Sequence, residues 1–228
     1  MKRLPLDHTS MLPVDVSPAV IKRLPRYRRY LGDLVNMGRE RISSAELSRM
    51  MGVTASQIRQ DLNCFGGFGQ QGYGYHVPTL YDTISELLGT TEGYRAVIVG
   101  AGNLGRALAA THMFERRGVN RLALFDVDPR VIGTSVHGLP VYSVSRLSEF
   151  CREHAVDIGV LTVPKEAADE VVHALIRGGV RGIWNFANME LSLEEQGVTV
   201  ENIHLGDSLM KLCFAVKSAK ADGGEEAK

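Results

Sequence analysis

A chain of 228 residues, 44% of them hydrophobic, can bury one large core or two modest ones. Its 26 Lys and Arg side chains balance 26 Asp and Glu, so the whole molecule exerts no long-range pull on a polyanion, and any affinity for nucleic acid has to come from local charge. Cys64, Cys151 and Cys213 lie far apart, without a C-x-x-C pair or zinc-finger histidines, which argues against a disulfide framework or a structural metal and for a reducing, cytoplasmic setting.

Residues 1–17 hold two prolines and no apolar periodicity, which predicts a flexible leader; MKRLPLDHTS is basic but lacks a signal peptide's apolar stretch. No run approaches the roughly 18 apolar residues of a membrane span. Ser17-Pro18 reads as a helix start, followed by Ile21, Leu24, Leu31, Leu34 and Val35 at helical spacing, with a kink or restart at Pro25 and an end near Met37-Gly38.

Ser43 to Glu46 is a capping box, with side chains able to exchange hydrogen bonds with each other's backbone, and it opens a short helix through Met51 that Gly52 stops. Thr54 to Gln57 is a second, opening a helix over 55–63 with Ile58 and Leu62 on its buried side. Two short helices joined by a glycine-containing turn make a helix-turn-helix. Five glycines and four aromatics between Phe65 and Tyr75 predict a β-hairpin, the wing. A further helix over 78–88 leads into Gly89-Thr90-Thr91-Glu92-Gly93, the expected linker, so a winged-helix domain spans 18–89.

From Tyr94 the pattern alternates: strands over 96–99, 122–125, 156–163, 180–186 and near 198–200, helices over 104–116 and 166–177. That order implies an α/β Rossmann domain over 94–204, a doubly wound parallel sheet with covering helices. An amphipathic helix over 205–216 follows, and the charged tail 217–228 is expected to fray.

Ala96-Val97-Ile98-Val99 runs directly into Gly100-Ala101-Gly102-Asn103-Leu104-Gly105 and a helical stretch, placing G-x-G-x-x-G at a strand-to-helix turn. There the first glycine permits the turn, the second lets a pyrophosphate approach the backbone, and the third lets helix press on sheet. Asp126 ends the second strand 21 residues beyond Gly105, near the spacing at which a carboxylate holds the adenosine ribose hydroxyls and repels a 2'-phosphate. NAD is therefore favoured over NADP; the alternative is that the glycines only make a tight turn, and Asp128 and Arg130 either share the ribose edge or are simply solvated. Leu161-Thr162-Val163-Pro164 and Trp184-Asn185-Phe186-Ala187 end later strands and should border the nicotinamide half, since ligands lie beyond the carboxyl ends of parallel strands; for any single residue among them, structural packing is the alternative.

Hydride transfer needs a positioned acid or base and a second pocket. His112, His137, His154, His173 and His204 stand in no recognisable catalytic setting, and about 30 residues after the cofactor domain are too few for a substrate domain. A cofactor site without a reaction site points to sensing, with no catalytic residues and no metal. The alternative is a small NAD-dependent oxidoreductase with an accessory helical domain.

Between residues 18 and 65, nine basic side chains (Lys22, Arg23, Arg26, Arg28, Arg29, Arg39, Arg41, Arg49, Arg59) face four acidic ones (Asp33, Glu40, Glu46, Asp61). That excess suits phosphate neutralisation. The helix opened by Thr54 offers Thr54, Ser56, Gln57, Arg59 and Gln60 to a major groove, where Gln reads adenine and Arg reads guanine or phosphate. Ser43 and Ser44 are placed to hold a phosphate, and Gln70, Gln71, Gly72 and Tyr73 in the wing to lie in a minor groove. A protein-interaction module with a solvated basic face is the competing reading.

Taken together, Arg23-Leu24-Pro25-Arg26-Tyr27-Arg28-Arg29, Gln57 to Leu62, Phe68 to Tyr75, Val99 to Gly105, Phe125 to Pro129, Leu161 to Pro164 and Asn185-Phe186-Ala187 resemble the redox-sensing transcriptional repressor family Rex over residues 18–216. The resemblance implies a homodimer whose C-terminal helix, here 205–216, swaps onto the partner, with NADH releasing operator DNA and NAD+ permitting binding. Four positions depart from the family pattern. Gln70-Gln71 replace a common Lys-Arg in the wing. Thr111 and His204 stand where some members place a Tyr and an Asp that form an NADH-responsive network with an Arg, here Arg29.

Overall fold

The computed structural model describes residues 17–64, 69–70 and 73–225; the expected leader over 1–17 apart from Ser17, residues 65–68, 71 and 72 of the expected wing, and tail residues 226–228 lie outside the described residues. The chain divides into two units, Met1–Thr91 and Glu92–Lys228.

In the first unit, α1 (Pro18–Ile21) gives way to α2 (Leu24–Asn36), with the break at Lys22-Arg23. Pro25 thus falls in the first turn of α2, where its missing N–H leaves no bond unmade. Then come β1 (Arg41–Ile42), α3 (Ser44–Met51), α4 (Ala55–Asn63), β2 (Gly69–Gln70), β3 (Gly74–His76) and α5 (Val77–Leu87). The helix starts lie where the caps put them: Ser43 Oγ accepts from the Glu46 amide and Thr54 Oγ1 from the Gln57 amide, each at 3.1 Å. The reciprocal half of each expected capping box is absent, because other side chains claim these two. Glu46 pairs with Arg39 at 2.8 Å, and Gln57 turns to Asp61.

Tyr27, Leu31, Leu47, Met51, Ile58 and Ile84 fill the core of this unit, so α2, α3, α4 and α5 all contribute to one apolar centre. The wing hairpin pairs Gly69 with Tyr75 and Gln70 with Gly74, and β1 joins its other side in antiparallel register, giving the order β1-β3-β2. β1 was not expected, since two residues are too short to show an alternation.

The second unit runs β4 (Tyr94–Val99), α6 (Asn103–Ala110), β5 (Val119–Asp126), β6 (Ser135–Val136), β7 (Leu139–Ser143), α7 (Leu147–Glu153), β8 (Ile158–Leu161), α8 (Lys165–Arg177), β9 (Gly182–Asn185), β10 (Thr199–Asn202) and α9 (Leu205–Glu225). The strands lie in the order β10-β9-β8-β4-β5-β7-β6, parallel except for β6 against β7. β4 is flanked by β5 on one side and β8 on the other, so the chain reverses its direction of travel across the sheet at the carboxyl end of β4. Open parallel sheets bind ligands at such a switch point.

Two expectations are corrected here. The helix after the glycine loop stops at Ala110 instead of 116, with Thr111 extended. Arg121 from β5 reaches its end, donating to the carbonyls of Leu108 at 3.3 Å and of Ala109, which satisfies groups a longer helix would have used internally. The last helix does not fray at Lys217 but continues to Glu225, through a stretch whose alanines and lysines are good helix formers.

Candidate dinucleotide site and nucleic-acid interface

The turn from β4 to α6 is built by exclusion of side chains. A Cβ on Gly105 would lie 1.8 Å from the Gly100 carbonyl oxygen, and Gly100, at φ +103°, would put one 2.6 Å from the Thr162 carbonyl oxygen. Gly102 is exposed, with nothing within 4 Å of where its Cβ would stand. It is also the N-cap of α6 and offers no side chain to the helix, so no capping side chain takes up the amides of the first turn, an arrangement that suits an anion.

Asp126 closes the other side. Its Oδ2 accepts from the Ala101 amide at 2.6 Å, and its Oδ1 from the amides of Val127 at 2.7 Å and Asp128 at 2.9 Å. Three backbone donors fix the carboxylate at the carboxyl end of β5, with acceptor capacity left for a ribose hydroxyl. Arg130 is taken up by Asp128, at 2.7 Å, and its side-chain and backbone hydrogen bonds hold the Asp128 carboxyl down at about 2. The guanidinium expected at the ribose edge is therefore engaged by a carboxylate, which disfavours its use for a 2'-phosphate.

The strand-end residues divide by job. Thr162 Oγ1 lies 2.9 Å from the Val99 carbonyl and 3.0 Å from that of Gly100, lashing β8 to the glycine loop. Val163 is half-buried and Pro164, the residue before α8, is exposed. Asn185 is fully buried, donating to the Met189 carbonyl and to Asn202 Oδ1, each at 2.8 Å, while its Oδ1 accepts from the buried Ala187 at 2.9 Å. Asn185 thus shapes the turn that carries Phe186.

The sequence places Trp184 at this strand end, whereas the role of Arg106 was not legible there. Trp184 meets Phe186 edge-on at 4.7 Å and Phe114 at 5.9 Å, forming an aromatic wall that packs with Leu104 and Leu108 of α6. Arg106 Nε donates to the Ala101 carbonyl at 2.8 Å and braces the loop from α6.

In the first unit, Ser56, Arg59 and Gln60 of α4 are exposed, as are Thr54 at its cap and Ser43 at the cap of α3. Arg59 donates to Ser44 Oγ at 3.1 Å, linking α4 to the start of α3. Arg29 is exposed, its guanidinium 5.4 Å from the Tyr30 ring. Gln70 lies in β2, and exposed Tyr73 has the Arg41 guanidinium 6.0 Å from its ring. Arg23 is bound to Asp61 and Arg39 to Glu46, so two of the nine basic side chains are already paired, while the excess of basic over acidic is unchanged. Gln57 is half-buried, its amide donating to Asp61 at 2.8 Å.

The other two departing positions, Thr111 and His204, lie in the second unit. Thr111 Oγ1 donates to the Leu108 carbonyl at 3.2 Å, at the end of α6, and His204, just before α9, pairs with Glu190 at 2.8 Å. From there Leu205, Leu209, Leu212 and Val216 stand exposed along α9. Among the described residues no group of side chains is arranged to hold a metal ion, and no helix is long and apolar enough to cross a membrane.

Comparison with known proteins bears on both units. A family model described as "CoA binding domain" matches residues 91–189, and one described as "Putative DNA-binding protein N-terminus" matches residues 15–63. The chain is 50% identical over 198 residues to the redox-sensing transcriptional repressor Rex of Clostridium kluyveri, covering 87% of this chain and 94% of that protein. It is 50% identical over 200 residues to the protein of that name from Caldicellulosiruptor saccharolyticus, covering 88% and 91%. Among solved structures, RSP, a Rex-family repressor, in complex with β-NAD+ and operator DNA superposes with a TM-score of 0.85 at 44% identity, covering 94% of this chain and 99% of that one. RSP in complex with β-NADH gives 0.82 at 42% identity, covering 92% and 98%.

Proposed function

The chain belongs to the Rex family of redox-sensing transcriptional repressors, and from that premise we propose that it grips operator DNA as a cytoplasmic homodimer and releases it when NADH fills the Rossmann site. Transcription then follows the cellular ratio of NADH to NAD+. The chain is a repressor rather than an oxidoreductase: its close relatives carry that name.

The observation that carries this reading is one chain holding both halves of the device. The uncapped start of α6, the open space over Gly102 and the anchored Asp126 carboxylate suit the pyrophosphate and ribose of a dinucleotide. The doubly capped α3–α4 pair suits a major groove, with Arg59, Gln60 and Ser56 toward the bases or phosphates, Ser43 and Ser44 beside a phosphate, and the wing in the adjacent minor groove. Val163, Pro164 and Phe186 border the nicotinamide half. The apolar side of α9 covers a second copy, since so large an exposed apolar face is unusual on a monomer.

Capture of promoter fragments from a genomic pool on the immobilised full chain tests the proposal. Fragments eluted by NADH and retained in NAD+ support it; fragments indifferent to both nucleotides contradict it.

A further inference from the structure

Asp61 is the one carboxylate among the buried side chains of the described residues, and four donors converge on it. Arg23 Nε and Tyr27 Oη reach Oδ2 at 2.7 and 2.9 Å; Arg23 Nη2 and Gln57 Nε2 reach Oδ1 at 2.7 and 2.8 Å. Burial alone would raise its pKa, but the hydrogen bonds from Arg23, Gln57 and Tyr27 outweigh that and hold it below the ordinary carboxylate value. An ionised carboxylate only accepts. The Gln57 amide must therefore turn its NH2 inward, because the flipped amide would set two acceptors face to face. Its Oε1 takes no hydrogen bond from the described residues and is not sealed from solvent.

Gln57 stands in the first turn of α4, three residues after the Thr54 cap, on the part of a recognition helix that meets base edges. A glutamine with a free amide offers either its oxygen or its nitrogen to a base and tolerates both partners. This one has its nitrogen turned to Asp61, so the oxygen is what it presents.

We propose that Gln57 is a specificity-determining residue of α4, fixed by Asp61 as an acceptor, which takes an amino base (adenine or cytosine) and rejects a keto base (guanine or thymine) at one position of each half-site. The inference rests on the DNA-binding reading above and names what that surface selects. In the major groove adenine N6 and cytosine N4 donate, whereas guanine O6 and thymine O4 accept and would face Oε1 acceptor to acceptor. Asp61 acts as the positioning residue.

The test is selection of duplexes from a random 20-base-pair pool by the full-length wild type, Gln57→Ala and Asp61→Asn. The wild type should disfavour keto bases about tenfold at one position of each half-site. Gln57→Ala should equalise the four bases there and leave the other positions as they were. Asp61→Asn, whose amide can turn either way, should relax the same position although Gln57 is still present, a change that weakened packing alone would not confine to one position. Gln57→Ala removes only a half-buried side chain, and circular dichroism establishes its fold, so it decides the matter even if Asp61→Asn does not fold. A base preference unchanged in Gln57→Ala, or selectivity weakened equally at every position, overturns the proposal while the DNA-binding reading stands. A wild type that enriches no sequence overturns both.

Discussion

The Gly105 position lies so close to the Gly100 carbonyl oxygen that a Cβ there would approach to 1.8 Å, whereas a Cβ on Gly102, two residues beyond Gly100, would meet nothing within 4 Å. The same motif therefore holds one glycine for the fold and one for the ligand. Gly105→Ala should lose the second unit's cooperative melting transition. Gly102→Ala, at φ −74°, should melt within about 2 °C of wild type, since alanine adopts that conformation freely. Its NADH affinity should nevertheless fall about 100-fold, because the methyl occupies the space over which the pyrophosphate approaches. Thermal melts paired with calorimetric titration separate the two effects; equal affinity in Gly102→Ala would place the pyrophosphate elsewhere.

Asp126 offers its remaining acceptor capacity to the ribose. Asp126→Ala should weaken NADH binding by about 10- to 100-fold, the range for losing a charge-assisted hydrogen bond while leaving its donors unpaired. NADPH, which the carboxylate repels, should lose far less, so the ratio of the two affinities should collapse. Parallel titrations with both nucleotides measure it.

The Asp61 cluster makes the first unit sensitive to acid. Its carboxyl pKa is lower in the folded chain than when unfolded, so the stabilisation is fully present above the ordinary carboxylate range and is lost as pH falls through the depressed folded value. Melting of the wild type should therefore drop steeply below about pH 4, and Asp61→Asn, already weaker at pH 7, should show a shallower fall. Asp61→Ala leaves the Arg23 guanidinium without its partner and should destabilise by about 3 to 5 kcal/mol at pH 7, read by denaturant unfolding.

Along α9, Leu205, Leu209, Leu212 and Val216 are exposed at helical spacing. Leu209→Asp with Leu212→Asp should shift the protein from dimer to monomer in light scattering while calorimetric NADH binding persists, because the glycine loop and Asp126 lie in other elements. A dimer that survives both changes would assign the subunit interface to a different surface.

Much of this was legible in the sequence where the signal is local. Ser43 and Thr54 announce helix starts by a three-residue spacing, and Gly100 to Gly105 announce their turn by lying between an apolar strand and a helix. Signals spread along the chain were not. Gln57 and Gln60 look alike from composition, yet one is bound inward because Arg23, 38 residues before Asp61, completes the carboxylate's shell. The end of α6 depends on Arg121, 13 residues after Leu108. β7 hid behind Pro140, which a central strand would exclude but which sits here near the strand's start, opposite Ser135 of the short edge strand β6.

Fluorescence anisotropy of a labelled promoter duplex bound by the full chain, titrated separately with NADH and with NAD+ at one salt concentration, tests the central claim most directly. NADH should return the duplex to its free anisotropy while NAD+ leaves it bound. A complex that persists at saturating NADH, or binding that never exceeds that of an arbitrary duplex, would contradict it.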